Sequence, residues 1–368
     1  MRTESLAHEL LDRARSIGGS KGYLSDSLLG ELTRDAIRAL SSDPAETRPL
    51  SAAGEPGGLV RLKTPFVAIV PDLHARADLL LDILASSYPF FDGTQLLDMA
   101  LDGRLTIVCL GDILNSEGRL GADRWGRVAL HLVNSRGLEG LLGPEMDEEM
   151  GSSMAAMGLV MLLKARLGAG FHCLKGNHDN ISNTSMDGDA GFSKFALEGA
   201  MGAEWFRLRY GDDLIHQVRQ YERLLPLVAA GRRFCASHAE PAFALGMDEL
   251  LDYRKRADIV GALIWTGNDQ AAEGAVNACL SALLGAEGME EGFWIAGHRS
   301  VQDGYALRAG GKLIQIHNPE RRQFAWIENG EDSKTASAAL YEVGEGGGSP
   351  TFLKVLPRLH LDHRKQGH

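Results

Sequence analysis

Residues 174–180, LKGNHDN, place three polar side chains directly after a short apolar run. The pattern predicts a buried strand that ends in a functional site, with Asn177, His178 and Asp179 at its carboxyl end, where open α/β sheets bind ligands. Gly176 is predicted to allow a sharp exit from the strand. A single tripeptide decides little, so the prediction depends on whether other strands end in the same way.

Four further apolar runs end in polar motifs. In chain order the five motifs are PDLHAR (71–76), GDILNSEGR (111–119), KGNHDN (175–180), ASHAEP (236–241) and AGHRS (296–300). If these strands lie parallel in one sheet, their carboxyl ends lie side by side. The side chains expected to converge are then Asp72, His74, Asp112, Asn177, His178, His238 and His298.

This set combines carboxylate and amide oxygens with imidazole nitrogens and contains no sulfur. Such donors suit Mn²⁺, our preferred ion, and Fe or Zn²⁺ more than Ca²⁺, and the number of donors suits two divalent ions that share one carboxylate. The alternative for any single motif is a helix cap or a hydrogen-bonded structural residue. Recurrence on five strands favours the metal centre, because clustered polar groups at a sheet edge are costly without compensation.

The order of the motifs resembles that of the calcineurin-like metallophosphoesterases, and in particular the phosphoprotein phosphatase branch. That branch has GDxHG, GDxVDRG, GNHE, a later HG or SH, and a final GH. The flanking runs LLPL (224–227) and GHRSVQDGY (297–305) are also similar, and the likeness spans residues 66–318. The resemblance implies an α/β fold, a four-layer αββα metallophosphoesterase sandwich with both metals at one edge.

The resemblance also implies roles for the converging residues. One metal would be held by Asp72 and His74, Asp112 would bridge, and the other metal would be held by Asn177, His238 and His298. The expected function is a metal-dependent phosphoesterase, in which a hydroxide that bridges the metals attacks phosphorus. His178 would donate a proton to the leaving alkoxide.

The second motif departs from the family pattern, because Asn115-Ser116 stands where the branch has Asp-Arg. Asn115 can orient His178 but cannot stabilise its cationic form. Ser116 offers one hydroxyl where the arginine would grip phosphate with two donors. The candidate replacements are Arg76, Arg119 and Arg299, and for each the alternative is a surface or ion-paired arginine.

The altered second motif supports an alternative function. The chain would then be a catalytically weak, metal-bound protein that binds a phosphorylated ligand without turning it over. Tight phosphate binding without turnover would distinguish it from the enzyme.

The sequence predicts that the chain has four parts. Apolar residues at helical spacing before residue 41 indicate two amphipathic helices, which could also serve as an oligomerisation or partner module. The predicted parts are an N-terminal helical extension (1–41), a linker rich in Pro, Gly, Ser and Ala (42–61), a catalytic domain (62–330) and a C-terminal extension and tail (331–368). The tail histidines His360, His363 and His368 are expected to be solvated.

Composition limits the partners. The formal net charge of −11 gives no general attraction to nucleic acid or to anionic membranes.

The sequence shows no signal-peptide pattern and no uninterrupted apolar stretch of membrane-spanning length. The four cysteines lack CxxC spacing, and three of them, Cys109, Cys173 and Cys235, lie in apolar strand-like runs that favour reduced core thiols and a cytoplasmic protein. The expected partner is a phosphorylated small molecule, nucleotide or protein, and the oligomeric state is left open.

Overall fold

The computed structural model describes residues 2–19, 23–87, 93–135, 138–330 and 337–356. Two six-stranded sheets form its centre. In spatial order the first sheet contains β12 (Thr351–Val355), β11 (Ser337–Glu342), β10 (Gln323–Glu328), β2 (Phe66–Val70), β3 (Leu105–Cys109) and β4 (Phe171–Cys173). The second contains β1 (Leu59–Arg61), β5 (Val228–Ala230), β6 (Phe234–Ser237), β7 (Phe293–Ala296), β9 (Leu313–Gln315) and β8 (Ala306–Arg308).

Helices cover the outer face of each sheet. The helices of the first sheet are α1 (Arg2–Gly18), α2 (Asp26–Ser41), α3 (Ala77–Ala85), α4 (Leu96–Leu101), α5 (Gly118–Asn134), α6 (Pro144–Leu167) and α7 (Glu198–Leu224). Those of the second are α8 (Met247–Leu251), α9 (Ala257–Ile264) and α10 (Ala275–Glu291). The order of layers is therefore helix, sheet, sheet, helix, as predicted.

Alternation along the strands creates the layers. In β2, Ala68 and Val70 face the helices, whereas Val67 and Ile69 face the second sheet. Successive side chains of a strand point to opposite faces, so a strand covered on both sides is apolar throughout. This explains why the sequence shows these strands as continuous apolar runs.

The prediction that the strand-end motifs lie in one sheet is wrong, because they are divided between the two sheets. β2, β3 and β4 run parallel in the first sheet, while β6 and β7 run parallel in the second. A continuous apolar strand has the same composition in either sheet, so the sequence pattern does not show which strand belongs to which sheet. Strand β9 is parallel to β7 and antiparallel to β8.

The N-terminal helices pack on the helical layer of the first sheet. Their buried side chains belong to the same apolar cluster as the buried methionines of α6. At the end of this contact the ammonium of Lys164 lies 2.6 Å from a carboxylate oxygen of Asp43, with both side chains buried. The N-terminal helices are thus packed against the sheet-covering helices, whatever partners they also have.

The stretch predicted as a linker, 42–61, contains strand β1, which pairs with β5. Its Arg48 is buried and donates hydrogen bonds to the carbonyls of Leu40, Gly57 and Leu224. The Pro/Gly composition marks turns. The pairing of β1 with β5 fixes the segment to the second sheet, and the Arg48 hydrogen bonds join it to the ends of α2 and α7. The division of the chain into four parts stays a prediction. The histidines of the tail lie outside the described residues.

Helix α6 is apolar and long. By length and composition it could cross a membrane, but 67% of its most apolar window is buried inside the fold. Packing inside the molecule therefore accounts for its composition. All four cysteines are buried and free, and for Cys109, Cys173 and Cys235 this is the predicted state.

Gly158 of α6 allows the N-terminal helices to approach closely. A Cβ atom there would lie 2.6 Å from Leu24 Cδ1 and 3.1 Å from Ile17 Cγ2. We expect Gly158→Val to lower the free energy of unfolding by about 1–3 kcal/mol, because overpacking forces neighbouring side chains apart. Urea unfolding followed by circular dichroism measures the change.

The matched control is Gly126→Val in helix α5, where a Cβ atom would meet nothing within 4 Å. This change should be neutral or slightly stabilising, because glycine is a poor helix former. Equal stability of the two variants would contradict the close-packing role of Gly158.

Candidate metal centre

Sharp turns follow the motif strands. His74, Asp112 and His298 adopt left-handed backbone conformations, with φ of 44°, 48° and 60°. Such conformations are unfavourable for residues with a side chain and cluster at functional sites. All three residues are predicted metal ligands, so the strain lies where the sequence placed the chemistry.

The first group of donors combines one strand end of the first sheet with one of the second. Asp72 follows β2, and His317 lies two residues beyond β9. With His74 they form a buried group whose donor atoms all lie within 4.8 Å of one another. His317 Nδ1 is 3.7 Å from Asp72 Oδ2.

The second group consists of Asp112, His238 and His298, again with donor atoms within 4.8 Å. His238 Nε2 lies 3.2 Å from His298 Nδ1 and 3.0 Å from Asn177 Oδ1. Asn177 therefore adds an amide oxygen to this group, at the place expected from the sequence.

Asp112 joins the two groups. Its Oδ2 lies 3.5 Å from His74 Nε2 and 3.4 Å from His238 Nε2. One carboxylate oxygen between two donor groups is the arrangement that a bridging ligand requires. The six predicted ligands are thus brought together around Asp112.

Backbone groups orient the ligands. The carbonyl of Asn115 lies 2.8 Å from His74 Nδ1, and that of Leu110 lies 3.0 Å from His238 Nδ1. Each carbonyl engages one ring nitrogen and leaves Nε2 directed into the site, as in metal-binding histidines. The carboxylates follow the same rule: Asp72 Oδ2 accepts the N–H of His298, and Asp112 Oδ1 accepts the N–H of His178.

Asp179, which had no predicted role, holds the turns together. Its Oδ2 accepts the N–H groups of Asp112 at 3.0 Å and Gly176 at 2.8 Å. Its Oδ1 accepts the N–H of Ile113 at 2.8 Å. A single buried carboxylate therefore fixes the turn after β3 against the turn after β4.

Two glycines are required by the approach of carboxylates. A Cβ atom on Gly297 would lie 1.7 Å from Asp72 Oδ1, and one on Gly176 would lie 2.2 Å from Asp112 Oδ1. Gly176 does not have a positive φ. Its role is therefore to leave space for Asp112 and not, as predicted, to permit an unusual backbone turn.

Electrostatics favour a cation in this site. Burial, together with the neighbouring Asp112 and Glu117, raises the pKa of Asp72 well above its usual range. Burial also raises the pKa of Asp112 to about 6 and lowers the pKa of His238 to about 3. Crowded carboxylates beside neutral imidazoles are compensated when a divalent cation binds.

Unpartnered atoms support the same conclusion. Asp72 Oδ1, His298 Nε2 and His317 Nδ1 are buried and have no hydrogen-bond partner among the described residues. Each belongs to one of the two donor groups. The residues present in both donor groups therefore fit divalent metal ions.

His317 and Glu117 were missed by sequence reasoning. Glu117 Oε2 lies 2.5 Å from His317 Nε2 and 3.2 Å from His74 Nε2. Glu117 thus orients His317 through one ring nitrogen and leaves Nδ1 toward Asp72. The available signal was the run LIQIH (313–317), an apolar strand followed by a histidine, as in four of the five motifs.

His178 lies beside the first group, with its ring centroid 5.0 Å from that of His74. Its Nδ1 and Asn115 Oδ1 are both buried without a hydrogen-bond partner among the described residues. The predicted orientation of His178 by the Asn115 side chain is therefore not seen. Asn115 contributes its backbone carbonyl to His74 instead, and a catalytic role for its side chain stays a prediction.

The three candidate arginines differ in their surroundings. The guanidinium of Arg76 donates to the carbonyls of Asp72 and Leu73 and to three carbonyls between residues 318 and 321. Arg76 thus braces the Asp72 turn, and its role in binding substrate stays a prediction. The Arg119 side chain is 92% exposed, with Nε 3.9 Å from Glu320 Oε2. Arg299 is exposed beside His298, and its role in binding substrate stays a prediction.

Comparison with known proteins places this fold. One similar solved structure is a protein serine/threonine phosphatase from Saccharomyces cerevisiae with similarity to human phosphatase PP5. It is 13% identical, with a TM-score of 0.53, and the match covers 88% of this chain and 91% of that chain. No family model matches the sequence, and no curated protein matches it.

A cold-active protein tyrosine phosphatase of the psychrophile Shewanella sp. is 14% identical, with a TM-score of 0.42 and coverage of 82% of each chain. This likeness is too loose to add to the assignment. Together with the layer order, the yeast structure shows that the chain has the four-layer αββα fold of that phosphatase, the fold that the resemblance of the motifs implied.

The contact between Gly297 and Asp72 is testable. We expect Gly297→Ala to lower metal affinity about 10- to 100-fold, because the new methyl group displaces the carboxylate. Elemental analysis after dialysis against graded metal concentrations measures the loss.

Gly330→Ala is the control, since a Cβ atom there makes only an ordinary contact of 3.9 Å with Pro65. It should bind metal like the unaltered protein. Full metal content in the Gly297 variant would show that Asp72 is not needed in its present position.

Proposed function

We propose that this protein is a metal-dependent phosphoesterase that hydrolyses a phosphate ester at a dinuclear site. The supporting observation is the position of Asp112, whose Oδ2 lies within 3.5 Å of a histidine from each donor group. The fold, shared with a serine/threonine phosphatase, is consistent with this chemistry. The proposed product pair is an alcohol and inorganic phosphate, or a shorter phosphate ester.

The residues divide the work. Bound cations would acidify water and neutralise phosphate oxygens. Asp72, Asp112 and the ligating imidazoles would hold the cations in place. His178 donates the proton that the leaving alkoxide needs as the bond between phosphorus and that oxygen breaks. Burial and the nearby His74 lower the pKa of His178 well below its usual range, so an anionic substrate is needed to favour its protonated form.

We propose Mn²⁺ as the working ion, with Fe and Zn²⁺ as alternatives. Imidazole nitrogen and carboxylate oxygen donors without thiolate support this choice. A cytoplasmic location is supported by the four unpaired cysteines.

The bridging role of Asp112 predicts the effect of its replacement. Asp112→Asn should lower hydrolysis of an aryl phosphate at least about a hundredfold and reduce bound metal, because the amide carries no charge to share between two ions. Steady-state kinetics with added Mn²⁺ and elemental analysis measure both effects. Chelation of the unaltered protein should abolish the same activity.

Asp213→Asn, on the exposed face of α7, is the matched control and should leave activity and metal content unchanged. Unchanged activity of the Asp112 variant would reject this site.

The role of His178 predicts a dependence on the leaving group. His178→Ala should slow hydrolysis of alkyl phosphates about 10²- to 10⁴-fold, because an alkoxide needs a proton as it leaves. An aryl phosphate with an acidic phenol should be affected far less. Comparing kcat for the two substrate classes tests the assignment, and an equal loss for both would argue against proton donation.

A second candidate is a phosphate-binding protein with little or no turnover. The observation that favours it is His178, whose Nδ1 has no hydrogen-bond partner among the described residues, with Asn115 in place of an acid. Calorimetric binding of a phosphorylated ligand, without turnover across a panel of esters and metals, would favour this function. Measurable Mn²⁺-dependent turnover would dismiss it.

A further inference from the structure

The second motif has Ser116 where the pattern it resembles has an arginine, and a lysine from another segment pairs with the next residue, Glu117. Lys194 belongs to the stretch between the third motif and helix α7. Its ammonium forms an ion pair with Glu117 Oε1. Glu117 directly follows Ser116, which occupies the position of the missing arginine.

Glu117 connects Lys194 to the metal centre. The Glu117 side chain is only 8% exposed. Its other oxygen lies 3.2 Å from His74 Nε2 and 2.5 Å from His317 Nε2. Lys194 is therefore one carboxylate away from the first group of donors.

A buried carboxylate fixes the backbone around Lys194. Glu198 in the first turn of α7 is 2% exposed. Its Oε2 accepts the N–H of Lys194 at 2.9 Å, and its Oε1 accepts the N–H groups of Phe195 and Ala196. Because three consecutive amides are held, the lysine is presented from a rigid support and not from a free loop.

The lysine retains donors for a ligand. An ammonium has three N–H donors, and the ion pair with Glu117 engages one side of it. Half of the Lys194 side chain is exposed, at 50%. A point charge of this kind is suited to the oxygens of a phosphate dianion.

Neighbouring arginines are less suited to this task. Arg124 Nη1 donates to Ser116 Oγ at 2.9 Å and to Ser152 Oγ at 3.1 Å, and it faces the buried Glu149. Arg76 is engaged by backbone carbonyls, and Arg119 Nε lies 3.9 Å from Glu320 Oε2. Arg119, Arg299 and Lys194 are all exposed, but Lys194 pairs with Glu117, whose other oxygen contacts the first donor group.

We infer that Lys194 binds the non-bridging oxygens of the substrate phosphate, in the place of the absent arginine. The inference rests on the proposed function for its substrate class. Its consequence is that phosphate affinity depends on α7 and the segment before it, which lie outside the strand-end motifs.

The test compares Lys194→Gln, Lys194→Arg and the control Lys63→Gln. Lys63 is exposed and lies just before the amino end of β2, whereas the site lies beyond the carboxyl end of that strand. Calorimetry of the metal-loaded full chain with inorganic phosphate should show affinity about tenfold weaker in the Gln variant, because a charged hydrogen bond is lost. The Arg variant should retain most of the affinity, and the control all of it.

Two further readouts separate binding from structural support. Metal content should be equal in all variants, and KM for a phosphomonoester should rise in the Gln variant in step with the weaker phosphate binding. Unchanged phosphate affinity of the Gln variant would overturn the inference. Loss of metal in that variant would also overturn it, since Lys194 would then serve to hold Glu117.

Failure of the proposed function gives a different result. Unaltered protein that binds phosphate but hydrolyses no ester would remove the enzyme while the role of Lys194 in binding stands. Absence of phosphate binding by the metal-loaded protein would overturn the inference even if ester hydrolysis persisted.

Discussion

Asp72 and Asp112 impose the main constraint on this structure, because each must be buried and still offer an oxygen to a cation. One oxygen of Asp72 accepts the backbone N–H of His298, and one oxygen of Asp112 accepts the backbone N–H of His178. The bond from His298 to Asp72 joins the two sheets at the site. The αββα layers are therefore connected at the edge where the donors meet, and glycines at 176 and 297 leave room for the carboxylates.

The free energy that keeps such groups together comes from outside the site. Left-handed backbone, desolvated carboxylates and neutral imidazoles all oppose folding. The apolar layer between the sheets, with Val67, Ile69, Val108 and Ile295 fully buried, and the helical layers outside them supply the compensation. Asp179 adds three hydrogen bonds that align the turns after β3 and β4. The site is thus strained locally and supported by a large core.

The surroundings of the metal centre differ more from the family pattern than the centre does. Asn115 and Ser116 replace an acid and a base, while Glu117 contacts His74, His317 and Lys194. Phe192 lies against His178, with ring centroids 4.1 Å apart. The stretch before α7 therefore contributes two side chains that contact this region, Phe192 at His178 and Lys194 at Glu117.

The sequence by itself determined the α/β fold class, the two helices before residue 41 and the convergence of the six predicted donors. These follow from local signals: apolar residues recur at helical spacing, and each donor lies just after a buried strand. Only the tertiary structure decided the split into two sheets, the entry of His317, the engagement of Arg76 and the pairing of Glu117 with Lys194, 77 residues apart. The physical reason is that strand partners and side-chain directions depend on packing between distant segments, which leaves no periodic trace in the chain.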